Sequence, residues 1–485
     1  MRRMATSVLS RGAALAGALA LTAARPANAQ YPTTPPPAAP LRPLQFPPFQ
    51  EAALPNGLRL LVVENHELPV VSLSLALPAG TRFDPAAREG LAELVAELLT
   101  KGTQRRTAEQ IAASIEGVGS SLSAAADADF LLLSTTVLTE HLDLAFDLVG
   151  DVTLHATFPE SELELARTRT LSQLRIDQAS PEALGNRFFA AAIYGNHPYG
   201  RRPSEASVKA IGAAEVRAFA AERLRPGGGL LVLSGDVTLP RARDLATRTF
   251  GTWTGAPPAA VPPPAPPARK PTGILLVHRP GSQQSNILIG NLAQRAGDPL
   301  YYPSVIANRI LGGGADARLF LILREQKGWT YGAFSRIVRH RDRGHFMANA
   351  EVRTPVTDSA LVELLRQLRR IRTEAVADSE LVSAKGYLIG SFPRQIETPG
   401  QVAGQVTTVK LLGLGEEYLR TFRERLAAVT PADVARGARH TIHPDSAVIV
   451  VVGDGQSVYD KLKALAHVRI VDAEGKALTP GDLTK

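Results

Sequence analysis

The chain contains no cysteine among its 485 residues, and its ten histidines are scattered. The absence of cysteine excludes disulfides and thiolate metal sites, so the fold must be held together by its core. A chain of this length can bury a core large enough for that purpose. No two histidines stand four residues apart, and the one pair three apart, His440 and His443, lies beside the turn before an apolar run. Histidine is therefore not spaced for a zinc-binding helix.

Blocks of lysine or arginine are also absent, although the formal net charge is +8. Residues 1–29 hold four arginines and no acidic residue, so their removal would lower the charge to +4. A mild charge without basic clusters gives little support for nucleic-acid binding. We therefore expect no nucleic-acid partner.

The N-terminus lacks an apolar run long enough to span a membrane. Residues 12–23 are rich in Ala and Leu, but fall short of the roughly 20 residues that a spanning helix needs. They follow a basic start and precede Ala27-Asn28-Ala29, the pattern of a signal peptide cleaved after Ala29. No cysteine follows the run, which excludes a lipid anchor. The sequence therefore predicts a signal peptide over 1–29 and a periplasmic or secreted protein with no membrane span after cleavage.

Two proline-rich segments divide the rest of the chain. Such segments favour extended polyproline conformations and act as semi-rigid connectors. The expected organisation is a spacer over 30–50, an N-terminal domain over 51–255, a linker over 256–271, a C-terminal domain over 272–467 and a tail over 468–485.

The two halves resemble each other at both ends. Each opens with two apolar strands around a turn, and each closes with a fully apolar strand that runs into a Gly-Asp turn, over 226–236 and 444–454. The closing segments stand 218 residues apart. This repetition indicates an internal duplication.

Helical patterns lie between the opening and closing strands of each half. Strands at the ends with helices between them are typical of α+β units. We predict two homologous halves, each an antiparallel-rich sheet with helices packed on one face. The clearest predicted helices cover residues 160–176, 181–192, 358–375 and 378–389.

The segment GLAELVAELLTKGT, residues 90–103, has the apolar spacing of an amphipathic helix, with Glu93, Ala96 and Glu97 on the other face. It resembles the zinc helix of the insulinase, pitrilysin and mitochondrial-processing-peptidase family, whose inverted H-x-x-E-H motif stands in a Gly-Leu-Ala…Lys-Gly-Thr frame. Both frame ends are present, but Glu replaces both histidines and Ala replaces the catalytic glutamate. The resemblance extends over residues 51–468 and implies two α+β halves that close like a clamshell over an unfolded peptide.

In that family a later helix supplies the third zinc ligand, and Gln173 stands at the matching position. The resemblance thus implies a degenerate site formed by Glu93, Ala96, Glu97 and Gln173, with no cofactor in this chain. An all-oxygen set would suit magnesium or calcium. The alternative is that both glutamates are solvated acids on the outer face of the helix.

Arg324 and Tyr331 match the family's second-half pair that binds the substrate backbone. Residues 316–326 are predicted as a helix, Gly328 as its C-terminal cap and 330–338 as a strand, so the chain can fold back and bring the pair together. A guanidinium and a phenol are suited to an oxygen-rich group such as a scissile carbonyl. The alternative is a structural role, with Arg324 paired to an acid and Tyr331 part of an amphipathic strand.

Three functional hypotheses follow. The first is a non-catalytic, substrate-binding subunit of a heterodimeric zinc peptidase that acts on unfolded peptides or oligopeptides. Its expected partner is a homologous subunit that carries H-x-x-E-H and the zinc, and Arg324 and Tyr331 would complete that site. The second is a standalone peptide-binding or scaffold protein on a degenerate peptidase fold. An independently active metalloenzyme, the third, would need unprecedented ligands.

Overall fold

The structure is a computed structural model that describes residues 46–256, 265, 273–415 and 417–484. The predicted signal peptide, most of the spacer and most of the linker lie outside these residues. Both halves belong to one compact unit, Gln45–Lys485. In the described part of the chain, no helix has the length and apolar character needed to cross a membrane.

The first half forms a six-stranded sheet. Its strands are β1 (Gln50–Ala53), β2 (Arg59–Glu64), β3 (Val70–Leu77), β4 (Leu122–Ala126), β5 (Leu131–Leu138) and β6 (Leu230–Gly235). The strand order is β1-β2-β6-β3-β5-β4, and only β2 and β6 pair in parallel. Along β3, Val71, Leu73 and Leu75 alternate with Ser72 and Ser74, so one face is apolar and the other carries hydroxyls.

Helices of the first half cover the apolar face of this sheet. Side chains from α1 to α4, α7 and α8 join the sheet in one hydrophobic cluster. The helices are α1 (Leu91–Leu98), α2 (Ala108–Glu116), α3 (Leu142–Leu154), α4 (Glu160–Ala179), α5 (Pro181–Tyr194), α6 (Glu205–Lys209), α7 (Ala213–Arg223) and α8 (Leu239–Phe250).

The second half forms a seven-stranded sheet. Its strands are β7 (Ile274–His278), β8 (Gln284–Arg295), β9 (Thr330–Val338), β10 (Arg343–Arg353), β11 (Val448–Gly453), β12 (Val468–Val471) and β13 (Ala477–Leu478). The strand order is β13-β12-β7-β11-β8-β10-β9. The helices are α9 (Tyr301–Gly312), α10 (Arg318–Phe320), α11 (Thr357–Thr373), α12 (Asp378–Ser391), α13 (Pro399–Leu411), α14 (Glu417–Arg420), α15 (Phe422–Ala428), α16 (Pro431–Thr441) and α17 (Gly455–Lys463).

The two sheets repeat one topology, as the duplicated sequence predicts. The order β2-β6-β3-β5-β4 corresponds strand for strand to β7-β11-β8-β10-β9. In each sheet the closing strand runs parallel to the opening strand and antiparallel to the second. The predicted α+β fold of two homologous halves is therefore confirmed.

Each half also sends one helix onto the sheet of the other half. Helix α5 packs on β8 and β11, while α13 packs on β3 and β6. A β-carbon at Gly185 of α5 would lie only 2.5 Å from the end of the Leu288 side chain, so a larger residue there would displace that leucine. The exchange was not part of the sequence prediction, which placed helices on one face only.

A polar network joins the halves beside α5. Arg82 forms ion pairs with Asp129 in its own half, at 2.9 Å, and with Asp342 in the second half, at 2.8 Å. The Tyr199 hydroxyl donates to Asp129 over 2.6 Å, and the Arg341 backbone N–H donates to the same carboxylate over 3.0 Å. Asp129 is therefore bound from both halves.

Three histidines with lowered pKa values lie beside this network. Burial lowers the pKa of His197 and His340, and lowers that of His345 to about 3 with help from His340 and nearby arginines. His345 Nδ1 lies 3.1 Å from the Tyr194 hydroxyl. The folded state therefore holds His345 as a neutral ring.

This burial predicts acid sensitivity. Unfolded His345 would titrate near its ordinary pKa of 6.5, so between pH 6.5 and about 3 the unfolded state binds the extra proton and folding stability falls as pH falls. At pH 5 the loss from this residue alone approaches about 2 kcal/mol. His345→Gln should therefore show a smaller fall in melting temperature between pH 7 and pH 5 than the unchanged protein, as scanning calorimetry would measure.

Carboxyl groups with raised pKa values, such as Asp84 with a pKa of about 7, increase folding stability as pH falls. They contribute this increase equally to the unchanged protein and to His345→Gln. The comparison therefore isolates His345. An equal fall in melting temperature for the two proteins would contradict the assignment.

Candidate functional site

Helix α1 lies where the zinc-helix resemblance predicts. It starts after Gly90, which has a positive φ of 101°, and the Asp84 side chain binds its first turn. The Asp84 carboxylate accepts the backbone N–H groups of Gly90 and Ala92, each at 2.8 Å. The first residue of α1 is thus fixed by Gly90 and Asp84, within the Gly-Leu-Ala segment of the predicted zinc helix.

Ala96 does not lie on the polar face of this helix. It is 1% exposed and belongs to the hydrophobic cluster of the first half, together with Ala166 of α4. The expectation that Ala96 shares a polar face with Glu93 and Glu97 is therefore wrong. The methyl group is small enough for helices packed against α1 to cover it, whereas a carboxylate at this position would need water or a cation.

The other positions of the degenerate site have separate partners. Glu97 forms an ion pair with Arg169, and the Gln173 side-chain amide donates to Asp177 over 2.8 Å. Glu93 has neither a hydrogen bond nor an ion pair among the described residues. Within the described ranges, no group of three or more His, Cys, Asp or Glu side chains is arranged to hold a metal ion.

Glu93 and Gln173 do share a cavity of about 360 Å³. Helices α4 and α5 form its walls, and Arg202 also lines it. Surrounding protein raises the pKa of Glu93, while the positive charge of Arg202 acts in the opposite direction. The degenerate site is therefore an open, charged cavity, and Arg202 is a member that the sequence reasoning missed. Arg202 stands in the loop that follows α5, and its sequence neighbourhood carries no local signal for this role.

A second cavity, of about 950 Å³, lies on the other face of the first sheet. It extends between the hydroxyl-bearing face of β3 and β5 and the small residues of α13, including Gly400 and Gly404. Asp129 and His340 of the junction network line one part of it. None of the predicted site residues line this cavity.

Arg324 lies on a π-helical turn. The predicted helix over 316–326 is divided into α10 and a π-helix over Leu321–Gln326. The Lys327 N–H donates to Ile322 O five residues back, at 3.1 Å, as a π-turn requires. Gly328, with a φ of 60°, then ends the turn and donates to Arg324 O over 3.0 Å, which agrees with its predicted role as cap.

Tyr331 lies on the edge strand β9, at a β-bulge. The strand pairing shifts between the partners of Ala333 and Thr330, so two residues of β9 lie opposite one of β10. The Thr330 hydroxyl stabilises the bulge by accepting from Gly332 N–H over 3.0 Å. Without the bulge, Tyr331 would share the buried face of Ala333, but its side chain is instead 86% exposed. Bulges that redirect a side chain are frequent beside active sites.

Aromatic rings connect the surroundings of the two residues. The Arg324 guanidinium lies 4.8 Å from the Phe320 ring centroid, and Phe320 lies 5.7 Å from Phe334 of β9. The π-helical turn packs along β9. Arg324 has one exposed acidic neighbour, Glu325 at 3.4 Å, and Tyr331 has no hydrogen bond within the described ranges. Both polar groups are therefore accessible to a ligand.

Comparison with known proteins agrees with this geometry. Residues 59–205 match the model of the insulinase (M16) peptidase family, and residues 210–388 match the M16 inactive domain. A zinc protease of Mycobacterium leprae described as uncharacterized is 30% identical over 70% of this chain and 77% of that protein. The chain belongs to the insulinase, or M16, peptidase family.

Solved structures give the same result for the fold. The M16 inactive domain from Pseudomonas fluorescens has a TM-score of 0.79 and 27% identity, over 84% of this chain and 98% of that one. A protease from Helicobacter pylori has a TM-score of 0.79 at 18% identity, over 84% of this chain and 99% of that one. This M16 chain thus combines the family fold with Glu, Ala, Glu and Gln at the four positions predicted to match the zinc site.

The burial of Ala96 predicts that restoring the family's glutamate will destabilise the protein. Ala96→Glu would place a carboxylate in the first-half core without a cation, a change that commonly costs several kcal/mol. We expect the melting temperature to fall by more than about 5 °C. Ala113→Glu, on the exposed side of α2, is the matched control and should change it little. Equal melting temperatures for the two variants would contradict the packing described for α1.

Proposed function

We propose that this chain is the non-catalytic, substrate-binding subunit of a heterodimeric zinc peptidase that acts on unfolded peptides or oligopeptides. The observation that carries the proposal is the contrast between two sites. The zinc-site positions hold no metal-ligand set, and Ala96 is packed into the core. Arg324 and Tyr331, in contrast, stand exposed on a π-turn and a β-bulge.

The proposed partner is a homologous subunit with an intact H-x-x-E-H helix. It would supply the zinc and the base that activates water, because position 96 of this chain has no carboxylate. Arg324 and Tyr331 would donate hydrogen bonds to the peptide oxygen that becomes negatively charged as water attacks. Such donors act mainly in the transition state, when the charge develops. We place the complex in the periplasm or outside the cell, in accordance with the predicted signal peptide.

A standalone peptide-binding protein is the second proposal. The open cavity beside Glu93 favours this proposal, because it offers a place for a ligand. A binding protein also needs no catalytic base at position 96. Assembly with an H-x-x-E-H chain distinguishes the two proposals. The same genome should encode such a chain if the first is right.

The test of the first proposal is a set of variants in the reconstituted complex. Arg324→Ala and Tyr331→Phe should leave the chain folded and paired but lower kcat/KM about 10²–10³-fold, because one preorganised donor is commonly worth on the order of 3–4 kcal/mol. Arg336→Ala is the matched control, since Arg336 is an exposed arginine on β9, the strand that carries Tyr331. It should leave kcat/KM unchanged. Kinetic constants and melting temperature are measured on the same samples.

A purely structural role gives a different result. Melting temperature or assembly would then fall in proportion to any activity lost. Unchanged turnover in either variant would remove that residue from the proposed site and favour the standalone binding protein.

A further inference from the structure

The cavity beside Glu93 holds two opposite charges that do not pair. Glu93 and Arg202 both line it, both are exposed to solvent, and no ion pair joins them. Opposite charges that face one cavity attract each other, so a separation between them requires a restraint. Hydrogen bonds from the Arg202 guanidinium to the backbone provide this restraint.

Arg202 is held by the backbone of its own loop. One terminal nitrogen, Nη1, donates to Tyr199 O over 2.9 Å and to Arg201 O over 2.7 Å. Within the described residues its other guanidinium nitrogens make no hydrogen bond. Arg202 therefore presents a guanidinium to the cavity that is held at one nitrogen and has free donors at the others.

The other charged groups around the cavity make hydrogen bonds or ion pairs of their own. Asp177 accepts from Gln173, and Glu205 binds Lys209 at 2.8 Å. Arg187 donates to the backbone carbonyl of Ala473 in the second half. Of the acids that line the cavity, Glu93 is the one with no hydrogen bond or ion pair within the described residues. Arg187 and Arg202 both donate to backbone carbonyls, and Arg202 is the one whose positive charge acts on Glu93.

A zwitterion matches this arrangement. A carboxylate accepts parallel hydrogen bonds from a guanidinium, and an ammonium group donates to a carboxylate. The volume of about 360 Å³ lies in the range of small-molecule sites. Leu174 and Leu184 add apolar surface, which suits an aliphatic side chain.

We propose that this cavity binds a free aliphatic α-amino acid, with its carboxylate on Arg202 and its ammonium group on Glu93. The site uses the position of the lost zinc centre but needs neither metal nor partner subunit. It is independent of the proposed peptidase role, because binding is measured on this chain alone, without any assay of turnover.

The test is titration calorimetry of the purified chain with L-leucine, N-acetyl-L-leucine and L-leucinamide. The two derivatives each remove one charge of the zwitterion. L-leucine should bind, and each derivative should bind at least about tenfold more weakly, because each loses one charged contact. The substitutions Glu93→Gln and Arg202→Met should weaken leucine binding by a similar factor.

Matched controls separate the site from general effects of charge. Glu164→Gln on α4 and Arg217→Met on α7 remove exposed charges outside the cavity and should leave leucine binding unchanged. Melting temperatures verify that every variant is folded. No binding of leucine at concentrations on the order of 10 mM would overturn the proposal. Equal binding of leucinamide, of N-acetyl-leucine or by the two cavity variants would overturn it as well.

Discussion

The exchange of α5 and α13 between the two sheets determines where the other features of the molecule lie. A sheet with one face open to water has to be polar on that face or be covered. The second sheet is covered by α5, whose side chains form an apolar cluster with β7, β8 and β11. The first sheet carries hydroxyls instead and is only partly covered by α13, which leaves the 950 Å³ cavity. Neither half is therefore complete without the other.

The exchange also explains the place of the junction network. Helix α5 leads directly into the loop that carries His197, Tyr199 and Arg202, so its docking on the second sheet brings that loop to the β9–β10 turn. The same helix forms one wall of the cavity beside Glu93. The predicted degenerate zinc site, the junction network and the contact between the halves are consequently connected through α5. A change in α5 packing would be felt at all three.

Sequence reasoning predicted the elements and the duplication because both depend on local patterns. The strand over Thr330–Val338 and the cap at Gly328 were predicted correctly, since alternation and a glycine after a helix are local signals. The exchange of α5 and α13 was missed, because amphipathic spacing does not specify which sheet a helix covers. Likewise, the burial of Ala96 depends on the helices that pack against α1.

The site was predicted as a set of residues, while its geometry was not. The pairing of Thr330 and the hydrogen bonds of Lys327 create the bulge and the π-turn, and both are departures from a regular pattern. Periodicity placed Tyr331 on an ordinary strand, and the bulge moves its side chain to the exposed face. Arg202 was missed because its role depends on Glu93, which is distant in sequence.

We propose above that this chain contributes hydrogen-bond donors to a zinc site held by a partner chain. The most direct test is the zinc content and peptidase activity of this chain alone, of the H-x-x-E-H partner alone and of their mixture. We expect no stoichiometric zinc and no cleavage for this chain alone, one zinc per pair in the mixture, and turnover in the mixture at least about 10²-fold above the partner alone. One tightly held zinc per copy of this chain, with peptide cleavage abolished by Glu93→Gln or Glu97→Gln, would contradict it.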